Sequence, residues 1–173
     1  MQKLIDLLTV PIVIFSLCVC GITFHSRLSH VLPYKDGYCE INFTLNRDEL
    51  TYRDVQEDIN KLFNCQYILI YRDLSDADII GCAYIIPKIV VIHDDLSMED
   101  FVITLTHELI HITHITTNER YTSFQTFKIL YESDNDYFKN VALYFAHLQV
   151  KNYYSYDYDC SGYIVDYLKQ PLS

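Results

Sequence analysis

Hydrophobic positions change their spacing along the chain, and each spacing predicts an element. Leu7–Phe24 reads "LLTVPIVIFSLCVCGITF", an apolar run with no charge and no polar face. Tyr38–Leu45, "YCEINFTL", has strand composition. In the next segment Val55, Ile59, Leu62 and Phe63 form a helical stripe behind a capping box of Thr51 and Asp54. "QYILIY" at Gln66–Tyr71 is a short apolar strand, and "DADIIGCAYIIPKIVVIHDD" reads as two strands broken near Pro87-Lys88. Ser97 and Asp100 make a second capping box that opens a helix, which the turn residues of Thr116–Asn118 end. Further helices are predicted over Glu119–Tyr131 and, after the break at "ESDND", over "YFKNVALYFAHLQV". The tail "NYYSYDYDCSGY" reads as irregular. The order is strand, helix, three strands, then helices, which predicts an α+β domain with a mixed sheet covered by helices.

At 173 residues the chain is long enough for one domain and short for two. The opening run, preceded by Lys3, divides it into residues 1–24, a signal peptide or N-terminal membrane anchor, and residues 25–173, a single domain. This places the mature domain outside the cytoplasm, secreted or held at a membrane by its N-terminal segment. Beyond the run stand Cys39, Cys65, Cys82 and Cys160, an even number that permits two disulfides and equally permits four buried thiols. The net charge of −10 disfavours nucleic acid and anionic lipid headgroups, because phosphates attract Lys and Arg patches.

One stretch carries chemistry. "THELIHIT" places His107 and His111 four residues apart with Glu108 directly after the first, the pattern H-E-x-x-H. On a helix, positions i and i+4 share a face, so two imidazoles can reach one Zn²⁺. Glu108 is offset around the helix, where it can hold a water rather than the metal. A chance match in a chain of this composition is roughly a one-in-a-hundred event. The flanks "VITLT" and "LIHIT" carry no charge, and burying polar groups unpaired in such a helix costs several kcal/mol unless a partner such as a metal is present.

With these flanks, and with Thr104 three residues before the first histidine, the segment resembles the zincin metallopeptidases. The resemblance is specific over Thr104–Thr113 and extends as topology over Tyr38–Tyr131. It implies a zincin-like fold, one catalytic zinc ion, and an endopeptidase that hydrolyses peptide bonds through a water activated by Glu108. Its substrate would be a protein or peptide. The other reading is a catalytically silent zincin-like domain that serves as a binding or interaction module.

A catalytic zinc takes three protein ligands. The metzincin pattern wants a histidine six residues beyond His111, where Thr117 stands. His114 lies about 10 Å along the axis from His107, too far to share one ion. Glu119 in "NERYTSF" resembles the gluzincin N-E-x-x-S segment, although Ser123 replaces the Asp expected four residues later. Glu119 is the favoured third ligand, unless it serves only in a capping box with Thr116. Glu132, with Asp136 four residues on, is its competitor. For Glu119 to reach the site, the histidine helix must end soon after Thr113. An oxyanion-steadying group would come from Tyr121, Tyr137, Tyr144, His147 or the tail tyrosines. His25, His30 and His93 read as surface or linker residues. The strand before the histidine helix, Lys88–His93, is expected on or next to the edge of the sheet.

Overall fold

The computed structural model describes residues 50–77, 79–151 and 157–170. The apolar run of residues 7–24, the strand expected at residues 38–45, His25, His30 and Cys39 lie outside the described residues.

The first described element is helix α1, Tyr52–Phe63, opened by Thr51, whose side chain accepts from the Asp54 N–H while Asp54 accepts from the Thr51 N–H. Each group satisfies a donor that the first helical turn leaves open. The buried stripe holds Val55 and Ile59, and Asn64 stops the helix in the left-handed conformation. Strand β1, Ile68–Arg72, follows. A single 3-10 turn, Ser75–Ala77, leads to β2, Gly81–Tyr84, and a hairpin then leads to β3, Ile89–His93.

Among the described residues the sheet has three strands in the order β1-β3-β2. β1 runs parallel to β3, with Ile70 opposite Val91, and β2 runs antiparallel to β3, with Cys82 opposite Val91. The expectation that Lys88–His93 lies on or next to the edge of the sheet holds, in its second form. Among the described residues β3 is the central strand, beside both edges, which are β1 and β2. The reason lies in burial: Val90, Val91 and Ile92 are covered on both faces of the sheet, the environment of a continuous apolar run. Parallel pairing with β1 depends on contacts distant in sequence, which composition does not reveal.

Helix α2, Met98–His114, crosses the inner face, opened by the Ser97 side chain accepting from the Asp100 N–H. It packs on β2, β3, α1 and two later helices, and every residue from Phe101 to Ile112 is buried. A helix surrounded in this way must be apolar all round, and the histidines are exceptions that a core alone does not explain. Helix α3, Glu119–Glu132, and helix α4, Asp136–Val150, follow with Asn118 and Asn135 as side-chain caps. Helix α5, Ser161–Leu168, closes the fold in a region whose approach reads as irregular tail. The core joins Ala83, Val90 and Ile92 of the sheet to Phe101, Leu105, Leu109, Phe127, Phe138, Phe145 and Ile164. Each fully buried Phe or Leu contributes about 1.5–3 kcal/mol. The fold is α+β: a small mixed sheet, then the histidine helix, then three more helices.

Cys65, Cys82 and Cys160 are free thiols, so two disulfides do not form. Burial pushes the Cys82 thiol up to about 11, and Glu108 nearby adds to this. No helix of the described residues is long and apolar enough to cross a membrane.

Candidate metal centre

The site begins with where α2 stops. Ile115 takes the left-handed conformation at φ 49° and donates its N–H to the His111 carbonyl. The Thr116 N–H reaches the same carbonyl at 3.3 Å. The helix thus ends at His114, as early as a returning third ligand requires. Asn118, not Thr116, caps α3, accepting from the Tyr121 N–H. Glu119 becomes the first residue of α3, outside any capping box, and its side chain turns back onto α2.

Three ligand-type atoms converge there. Glu119 Oε2 lies 2.9 Å from His107 Nε2 and 3.2 Å from His111 Nε2. Two ligand atoms held at about 2.0–2.1 Å by a tetrahedral ion stand about 3.3 Å apart, so the observed spacing fits a shared cation. The His111 ring is fixed from behind, because its Nδ1 donates to the Thr116 carbonyl at 2.7 Å. A carbonyl only accepts, so Nδ1 carries a proton, and whenever the ring is neutral it is the Nε2 lone pair that faces Glu119. That backing hydrogen bond is the kind that orients a metal-binding imidazole.

Electrostatics follow from burial. Burial holds His107 down to about 4, against the opposing pull of Glu119. Burial would also lower His111, but contacts with Glu119, Glu108 and Thr116 outweigh it and raise its pKa. Burial would raise Glu119, yet the two imidazoles hold its carboxyl down to about 2. An ionised carboxylate and a neutral His107 is the donor set a divalent cation takes.

Glu108 stands beside this set. Both of its carboxylate oxygens are buried and have no hydrogen-bond partner among the described residues. Burial, then Glu119, raises the carboxyl to about 8 although His111 opposes this. An orphaned buried acid is costly, and the arrangement suits a group that serves a ligand rather than the fold.

The other candidates separate from the site. His114 is exposed and bonds the Tyr121 hydroxyl. Glu132 is exposed at the far end of α3, near Lys128, and accepts from the Tyr167 hydroxyl. Tyr137 bonds Glu99. Of the tail tyrosines described, Tyr158 is buried, with its ring centroid 6.4 Å from that of His107. It also lines a cavity of about 580 Å³ with Glu119, Arg120, Asp157 and Tyr163. In sequence it is one tyrosine among many. A second cluster joins His93 to Asp73 and Asp94. There the His93 Nδ1 accepts the Leu74 N–H at 3.2 Å, which occupies the lone pair that a metal would need.

Comparisons of the chain with known protein families, with curated proteins and with solved structures find no match.

Proposed function

We propose that this chain is a zinc-dependent endopeptidase of zincin-like fold, with His107, His111 and Glu119 as metal ligands and Glu108 as the catalytic base. The observation that carries the reading is the convergence of two imidazole Nε2 atoms on one Glu119 oxygen, beside a buried carboxylate without a partner. Supporting it are the sheet that precedes the histidine helix and the antiparallel edge strand that lies against it. When bound, a zinc ion polarises the substrate carbonyl, lowers the pKa of water and, by its charge, favours ionised Glu108.

The chain's own groups then have distinct tasks. Glu119 and the two imidazoles hold the cation, and the Thr116 carbonyl holds His111 in the required tautomer. Glu108 takes a proton from the attacking water on a carboxylate oxygen. It passes that proton to the leaving amine as the bond between carbonyl carbon and amide nitrogen breaks. Among the described tail residues, Tyr158, beside His107, is the one best situated to face charge developing on the carbonyl oxygen. The substrate is a protein or peptide. The unbroken apolar run at Leu7–Phe24 supports an extracytoplasmic site of action.

The test is zinc content together with casein digestion, for the unaltered chain and for Glu108→Gln. Stoichiometric zinc with cleavage lost in Glu108→Gln supports the reading. Zinc without Glu108-dependent cleavage favours a binding module, and no bound zinc removes the metal centre.

A further inference from the structure

Gly81 opens β2 where the edge strand meets α2. A β-carbon there would lie 2.4 Å from Thr104 Cγ2 and 3.4 Å from both Glu108 Cγ and Glu108 Oε1. Thr104 and Glu108 are one helical turn apart on the same face. The strand backbone therefore rests on the turn that carries Glu108, and only a residue without a side chain leaves room. Gly81 lies outside the left-handed region, so the requirement is for space and not for conformation.

The contact matters because of what Glu108 lacks. A working carboxylate is usually aimed by hydrogen bonds from its surroundings. The Glu108 oxygens have none among the described residues. What an added β-carbon at position 81 would overlap is Thr104, one turn before Glu108, while Glu108 itself would be met at ordinary contact distance, so a shift of the Thr104–Glu108 turn is the route by which position 81 reaches the carboxylate.

We propose that Gly81 is a positioning residue for the hydrolysis, setting the direction of the Glu108 carboxylate through close contact of β2 with α2. Its catalytic meaning rests on the peptidase reading above. A methyl group at position 81 must push β2 or the Thr104–Glu108 turn aside by about 1 Å to restore ordinary contact, and a displacement of that size at a reacting group costs on the order of 10²-fold in rate.

The experiment uses the full zinc-loaded chain with ¹³C-labelled glutamate, and fluorescein-labelled casein as substrate. The Glu108 carboxylate resonance is assigned by its loss in Glu108→Gln. Gly81→Ala is expected to keep its zinc, move the Glu108 resonance, and lower kcat on the order of 10²-fold with KM within about twofold. Thr104→Ser removes only the overlapping methyl group. Gly81→Ala/Thr104→Ser, measured against Thr104→Ser alone, should therefore recover both resonance and kcat. An unmoved resonance in Gly81→Ala, or no recovery in the double variant, overturns the proposal. If Gly81→Ala does not fold, the double variant decides: a folded protein with the resonance of Thr104→Ser supports the contact, and an unfolded one overturns it. Casein cleavage that is absent or indifferent to Glu108→Gln defeats the peptidase reading instead, while the resonance still reports on the contact.

Discussion

Replacing Glu108 by glutamine should abolish turnover and, in the metal-free protein, raise stability in a pH-dependent way. The folded chain holds the Glu108 proton up to about 8, against an ordinary value of 4.5. Between these limits the unfolded chain has released the proton and the folded chain has not. Folding stability therefore falls as pH rises through that window. At 1.36 kcal/mol per pH unit above 4.5, the deficit at pH 7 is about 3 kcal/mol, and at pH 5 it is under about 1 kcal/mol. Glutamine fills the same volume and does not titrate. Its own unpartnered amide adds a cost that is the same at every pH. For a chain of this size, about 3 kcal/mol corresponds to roughly 6–12 °C in Tm. The assay is thermal unfolding of both proteins after chelation at pH 5, 7 and 8.5. Glu108→Gln should gain on the unaltered chain by that amount between pH 5 and pH 7, and further by pH 8.5. A Tm difference that is constant with pH, or that shrinks as pH rises, would refute the account of Glu108 as a strained buried acid.

Other outcomes follow from the same geometry. Glu119→Ala should lose zinc as fully as His111→Ala does in a metal assay, whereas Glu132→Ala should keep both metal and activity. Ile115 is a β-branched residue in the left-handed region and 76 % exposed, so Ile115→Gly should stabilise by about 1 kcal/mol in urea unfolding with no change in zinc content. Chelation should lower the Tm of the zinc-loaded chain, because a ligand that binds only the folded state adds to its stability. Cell fractionation should find the chain in the membrane or outside the cytoplasm, and intact soluble cytoplasmic protein would count against export.

The parts of this structure that are local in sequence were legible there. The Thr51–Asp54 box marks the start of α1, and helix α3 begins and ends within a residue of its pattern. His107, Glu108 and His111 announce themselves by spacing. Glu119 needed one further fact, the stopping point of α2. That depends on Ile115 adopting a conformation β-branched residues disfavour, so the sequence carries little signal for it. Helix α5 escaped because it is eight residues long and Cys160 provides no side-chain cap. Tyr158 and Gly81 escaped for a different reason. Their importance comes from what they touch, and neither contact leaves a periodic trace.

The tight reversal at Ile115–Asn118 draws all three proposed ligands from thirteen consecutive residues, His107–Glu119. Closing so short a loop costs little chain entropy, and on the proposed reading all three ligands of the cation come from the α2–α3 hairpin and none from the sheet. β2 meets α2 at Gly81, near Thr104 and Glu108. On the proposed reading, the cation's ligands and the close strand contact near the base thus come from different elements. If the proposed peptidase reading holds, a small disturbance at Gly81 should leave zinc bound while cleavage slows, so metal content on its own would not measure activity.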